Sequence, residues 1–212
     1  MSDTPVVEAS GTSKRREATR QKLLDAAAEV FAELGLDAAS VEAICERAGF
    51  TRGAFYSNFE TKDELMLALT ERFAGEKIEA VAERVAELQS RGENLEAGAL
   101  VRQLLDVAFD RKQGILLTSE IRTRAMRDPR LAETYIAWQT GMVERVGSFI
   151  DELARTYGFR LRLPAAEFAG IILQTWEDTS AFGIMTGLGA EELQQLVNER
   201  TARVSAALVD PL

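Results

Sequence analysis

The chain has 212 residues, with 25 Lys or Arg against 34 Asp or Glu for a formal net charge of −9, and is 46% apolar and 28% charged. It holds no histidine and a single cysteine, Cys45, which excludes imidazole bases, imidazole metal ligands, an internal disulfide and a thiolate zinc cluster. The longest uncharged run, Thr179 to Ala190, is 12 residues with three glycines, short of the roughly 20 apolar residues of a membrane span; no secretory pattern opens MSDTPVVEAS, so a cytoplasmic protein that meets no membrane is expected.

Residues 1–13 lack apolar periodicity and are expected to form a mobile arm. From Arg20, the residues Leu23, Leu24, Ala27, Val30, Phe31 and Leu34 recur at helical spacing, and Gly35 follows as a C-terminal cap. Ser40 then precedes Val41, Ile44, Cys45 and Ala48, a two-turn helix with Ser40 as N-cap and Gly49 as its stop. Thr51 opens a short helix ending near Asn58. Thr61 and Glu64 have capping-box spacing at the head of a long helix with Leu65, Leu67, Leu69, Phe73, Ile78 and Val81 on its apolar side and a bend expected near Gly75. Further helices are predicted near 95–110, 113–127, 130–157, 165–186 and 190–209, with Pro129 and Pro164 in first turns. Four prolines in the whole chain leave room for such long helices. The fold class is all-α: a helix-turn-helix domain over 14–64 and a helical bundle over 65–212.

The stretch SVEAICERAGFTRGAFYSNFETK, Ser40 to Lys62, carries the functional signal. Two short helices joined at Ala48-Gly49-Phe50 make a helix-turn-helix, whose second helix lies in the major groove of DNA. Val41, Ile44, Cys45, Ala48 and Phe55 face inward. Outward lie Thr51, Arg52, Tyr56, Ser57 and Asn58, side-chain types that contact phosphates and base edges.

Residues 20–69, about a quarter of the chain, resemble the DNA-binding domain of the tetracycline-repressor (TetR) family. The match runs through Leu23, Leu24, Ala27, Phe31, Gly35, Ser40-Val41, Ile44, Ala48-Gly49-Phe50, Arg52-Gly53-Ala54-Phe55-Tyr56, Phe59, Lys62 and Leu65. Cys45 departs from the family's usual alanine and is expected to be a buried, inert thiol. The resemblance implies a homodimeric transcription regulator, more often a repressor, that binds a palindromic operator and is released by a small, largely apolar effector. It implies Arg52, Gly53, Tyr56 and Asn58 at the groove, and Ser40, Thr51, Tyr56 and Lys62 on phosphates. No catalysis and no cofactor are expected.

The acidic balance reaches into this half: residues 1–64 hold 8 Lys or Arg and 12 Asp or Glu, a net of −4. What matters is the facing surface. Lys14, Arg15, Arg16, Arg20 and Lys22 against Glu17 give +4 within nine residues, a phosphate-contacting stretch or a solvated helix start. Glu29, Glu33, Glu42 and Glu46 are expected to point to solvent or away from DNA.

In the C-terminal half, Phe109, Met126, Tyr135, Trp138, Met142 and Trp176 are the candidates for lining an effector pocket, with Tyr135, Trp138 and Met142 on one helical face. Glu120, Arg122 and Arg124 either pair at the surface or place a charge in that pocket. Stripes of Phe168, Ile171, Ile172, Thr175, Thr179 and Phe182, and of Leu193, Leu196, Val197, Val204 and Leu208, are expected to pair two copies through the last two helices. The alternative is a helical small-molecule-binding protein or carrier that never meets operator DNA, which has no reason to keep the Arg52–Lys62 surface.

Overall fold

The computed structural model describes residues 8–91, 103–104 and 112–211. The chain divides into two units, Met1–Thr70 and Glu71–Leu212.

In the first unit α1, Glu8–Leu34, begins inside the segment expected as an arm. Its first turns carry no apolar stripe, because Lys14 to Ala18 are all exposed. The stripe itself is buried at Leu23, Leu24, Ala27, Val30 and Phe31, whereas Leu34 is 53% exposed and leaves it. α2, Val41–Ala48, and α3, Arg52–Tyr56, follow, then the opening of α4, Lys62–Ser90. Leu23, Ile44, Phe55, Phe59, Leu65 and Met66 are closed to solvent to within 1%, each such burial being worth about 1.5–3 kcal/mol. Leu65, Met66 and Leu69 of α4 lie in this unit, so it ends at Thr70 rather than at the expected residue 64.

The Thr61 cap forms, Oγ1 accepting from Glu64 N at 3.0 Å, while the Glu64 carboxylate reaches back to Glu60 N at 2.6 Å. α4 runs through Gly75 without interruption.

The second unit takes the rest of α4 with α5, Lys112–Ala125, α6, Pro129–Tyr157, α7, Ala165–Met185, and α8, Ala190–Leu208. The helix expected near 95–110 falls outside the described residues, apart from helical 103–104. Asp128 caps α6, its carboxylate accepting from Arg130 N at 2.9 Å, with Pro129 in the first turn. α7 packs on both α6 and α8. A Cβ on Gly147 would sit 2.9 Å from Ala166 Cα, so α6 and α7 meet backbone to backbone there.

Of the stripes assigned to a partner, Phe168, Thr179, Leu193 and Val197 are buried within the chain's own fold. Ile171, Ile172, Thr175, Leu196, Val204 and Leu208 are half-buried, and Phe182 is exposed together with Met185. A two-stranded ribbon absent from the sequence reading pairs β1, Phe159–Leu161, antiparallel with β2, Val209–Pro211, in the register Arg160 opposite Asp210. Both Arg160 and Arg162 bond the Asp210 carboxylate. Among the described residues no helix is long and apolar enough to cross a membrane.

Candidate nucleic-acid interface

The frame of the helix-turn-helix is set by caps. Ser40 Oγ accepts from Ala43 N at 3.1 Å and Thr51 Oγ1 from Ala54 N at 3.2 Å, each satisfying an orphan donor of a short helix. Both hydroxyls act as acceptors in these bonds, which leaves each its own proton to donate. Between the helices Gly49 takes φ +70°, which a side chain would penalise, and Phe50 N returns to Cys45 O at 2.9 Å. Cys45 is buried, and loss of solvation, then the Glu42 charge, push its thiol pKa up, as an inert thiol requires.

Arg47 clamps α2 to α1. Its guanidinium meets both oxygens of Glu33, at 2.9 and 2.5 Å, and Glu29 at 2.9 Å. The hydrogen bond from Arg47 holds the Glu33 carboxyl below the ordinary carboxylate range. A lowered folded pKa stabilises the fold fully above the unfolded value, about 4.3, and that contribution is lost as pH falls through the lower folded value. Arg47→Ala is therefore expected to lower the melting temperature at neutral pH and to weaken its fall on acidification, checked by thermal melts from about pH 6 to about pH 3.

α3 presents an exposed face. Arg52, Gly53, Tyr56 and Ser57 are exposed, with Thr51 beside them. Phe55, on the opposite side, is wholly buried, its ring 5.3 Å from Tyr56 and 5.8 Å from Phe59 between centroids. Arg52 lies with its guanidinium carbon 5.8 Å from the centre of the Tyr56 ring and Nη1 2.7 Å from Glu42. Hydrogen bonding to Tyr56, then the Glu42 charge, hold it further in its charged form. A Cβ on Gly53 would meet only Thr51 Oγ1 at 3.7 Å, an ordinary contact, so nothing inside the protein requires glycine there.

Two expected contact residues make bonds within the protein. Asn58 is 8% exposed: its Nδ2 donates to Ala54 O at 2.8 Å and to Ser57 Oγ at 3.3 Å, which turns the amide into the end of the helix. Lys62 is half-buried, Nζ donating to Leu36 O at 2.6 Å with the Phe31 ring 5.8 Å away, so its ammonium closes the end of α1. Arg20 likewise turns inward, its guanidinium carbon 4.3 Å from the centre of the Phe59 ring and Nη1 donating to Asn58 O at 3.2 Å. Lys14, Arg15, Arg16 and Lys22 remain exposed as the basic surface of α1. Glu42, expected to point to solvent or away from DNA, is exposed and pairs with Arg52. The two are ten positions apart with a turn between them, and no local pattern signals the pair.

In the second unit Tyr135 and Met142 are buried and Trp138 is half-buried, with the Tyr135 and Trp138 rings 5.5 Å apart. Tyr135 Oη accepts from Arg122 Nε at 3.2 Å, and Arg122 pairs with Glu177, so α5, α6 and α7 join at one polar cluster. Arg122 thus enters the helix interface, while Arg124 pairs along its own helix with Glu120 at 2.6 Å. Met126 is 75% exposed, just past the end of α5. Trp176 is half-buried under Lys77, whose Nζ is 4.9 Å from the ring centre. Phe109 lies outside the described residues. A groove of about 540 Å³ runs along α8, lined by Glu191, Gln194, Gln195, Asn198, Glu199 and Ala202.

Residues 23–69 match the family described as bacterial regulatory proteins, tetR family. An uncharacterized HTH-type transcriptional regulator of Mycobacterium tuberculosis is 31% identical over 121 residues, 57% of this chain and 60% of that protein. The HTH-type transcriptional repressor AcnR of Corynebacterium diphtheriae is 39% identical over 79 residues, 37% of this chain and 40% of that one. The chain therefore spans less than two thirds of the length of these curated relatives. In fold it is similar to a TetR-family transcriptional regulator from Mesorhizobium loti, with a TM-score of 0.66 at 19% identity, covering 91% of this chain and 98% of that one. The helix-turn-helix lies inside the segment that matches the tetR family of bacterial regulatory proteins, and the fold is similar to that of the Mesorhizobium loti structure.

Proposed function

We propose that the chain is a ligand-responsive transcriptional repressor of the cytoplasm, binding a palindromic operator as a homodimer through α7 and α8. The observation that carries the DNA-binding part is the α3 face: Thr51, Arg52 and Tyr56 stand exposed around a glycine that the protein's own packing does not need. Glycine in a helix costs up to about 1 kcal/mol relative to alanine, so its presence fits a surface that another molecule approaches closely. Thr51, Ser40 and Tyr56 supply hydroxyls to phosphates, and Arg52 supplies the bidentate donor for a base edge. Two such faces from a dimer, one helical turn apart, match two half-sites.

Effector binding belongs, in this reading, to the α5–α6–α7 region around Tyr135, Trp138 and Met142. A small, largely apolar molecule there disturbs the Arg122–Glu177–Tyr135 junction and shifts the spacing of the two reading faces. A coupling of about 1–3 kcal/mol changes operator affinity roughly 5–150-fold.

The test is a fluorescence-anisotropy titration with duplex DNA from upstream of the protein's own gene at two salt concentrations. Tight, salt-dependent binding that survives excess random DNA supports the reading. Binding no better than to random DNA, with no effector detected by mass spectrometry, moves the carrier reading ahead. Gly53→Ala is expected to raise the melting temperature slightly, by up to about 1 kcal/mol of stability, and to weaken duplex binding at the same time. A variant that gains stability and keeps full affinity removes Gly53 from the contact surface.

A further inference from the structure

The helix-turn-helix, residues 40–60, carries two cations, Arg47 and Arg52, against Glu42, Glu46 and Glu60. Both cations are ion-paired within the first unit: Arg47 to Glu29 and Glu33, and Arg52 to Glu42 at 2.7 Å. The two pairings differ in place. Arg47 joins α2 to α1, whereas Arg52 opens the reading helix and its partner projects from the first turn of α2, with the two side chains 61% and 58% exposed. Tyr56 completes the setting, its ring beneath the guanidinium.

We propose that Glu42 is a specificity-determining residue: its carboxylate occupies Arg52 in place of a DNA phosphate, so that Arg52 adds little to sequence-blind binding. The inference rests on the DNA-binding reading above. A carboxylate and a phosphate present the same kind of anionic acceptor to a guanidinium. Moving Arg52 from Glu42 to a phosphate of arbitrary sequence therefore exchanges like for like, and leaves the Glu42 charge unpaired beside the duplex. A guanine edge in a correctly seated site offers two acceptors in the plane of the guanidinium, a contact worth about 5- to 150-fold in discrimination. An exposed ion pair is worth only about two- to five-fold. The correct site can thus displace Glu42, and an arbitrary one gains almost nothing by doing so. With Arg47 held by two glutamates, sequence-blind attraction is left to the exposed Lys14, Arg15, Arg16 and Lys22 of α1.

The experiment uses the full chain as wild type, E42Q, R52Q, E42Q/R52Q and E46Q. Each is titrated by anisotropy against a random-sequence duplex and against a duplex enriched from a random pool by the wild type, over a series of salt concentrations. E42Q is expected to bind the random duplex about two- to five-fold more tightly. Its salt slope should steepen by about one, as one more cation reaches a phosphate. Affinity for the enriched duplex should change less, so the ratio of the two falls. In the R52Q background the Glu42→Gln change should have no such effect, because the cycle isolates the pair. E46Q makes the same charge change on the same helix and should leave the slope unchanged. The proposal is overturned by an unchanged slope in E42Q, by an equal gain in E46Q, or by a gain that persists without Arg52. A wild type that binds no duplex even at low salt removes the DNA-binding reading itself, and this inference with it.

Discussion

Phe55→Ala is expected to take between a third and all of the stability of the first unit. The side chain is closed to solvent and its ring lies against Phe59 and Tyr56. Truncating a buried phenylalanine to alanine costs about 3–5 kcal/mol, transfer and cavity together. The loss falls on a helix of five residues, far below the roughly 12–15 at which a helix begins to hold itself in water. α3 is therefore held where it is chiefly by this anchor, with the Thr51 cap, the Asn58 amide on Ala54 O and the Arg52–Glu42 pair beside it. A unit of this size has a total stability of about 4–10 kcal/mol at the usual 0.05–0.15 kcal/mol per residue, so the change removes a third of it or all of it. Denaturant unfolding followed by circular dichroism should show the shift, and DNA binding should vanish with it. Phe55→Leu, which keeps most of the volume, should recover most of the stability. A cost below about 1 kcal/mol for the alanine variant would mean that Phe55 is not the anchor of the reading helix.

Arg52→Ala should do the opposite: little to the fold and much to binding. The Arg52–Glu42 pair is open to solvent on both sides, and exposed pairs contribute about 0–1 kcal/mol to stability. The melting temperature should move by no more than a few degrees. If Arg52 meets a base edge bidentately, operator binding should weaken by about 1–3 kcal/mol and lose preference at that one position. An Arg52 that meets only a phosphate would weaken all sequences alike and lower the salt slope by about one. Titration against the enriched duplex and single-base variants of it separates these outcomes, and unchanged affinity for every duplex removes Arg52 from the interface. Together the two variants separate the residue that holds α3 in place from the residue that α3 displays.

Much of the helical layout was legible because its signals are local. The helices expected at 165–186 and 190–209 appear as Ala165–Met185 and Ala190–Leu208, since a stripe of period 3.6 bounded by Pro, Gly or an N-cap residue is written in consecutive residues. Ser40, Gly49 and Thr51 were readable for the same reason. The start of α1 was not: Lys14 to Ala18 lie on no buried face, so no apolar period marks them as helix. The burial of Asn58 is not legible in the sequence, because a polar residue at the end of a short amphipathic helix reads as exposed. In the fold its amide bonds to Ala54 O, and its carbonyl receives Arg20 from α1.

The sequence by itself determined the helical class, the capped turn at Gly49 and the outward placing of Thr51, Arg52, Tyr56 and Ser57. Each follows from backbone preference and burial period over a few neighbouring positions. Only the tertiary structure decided which charges meet. It set Glu42 on Arg52, Arg47 between Glu29 and Glu33, Lys62 on the Leu36 carbonyl, Arg122 between Tyr135 and Glu177, and Arg160 and Arg162 on Asp210 across the terminal ribbon. Those partners are 10 to 55 positions apart along the chain. An ion pair is selected by which ends of which elements arrive within about 3 Å of each other, and that distance is created by packing.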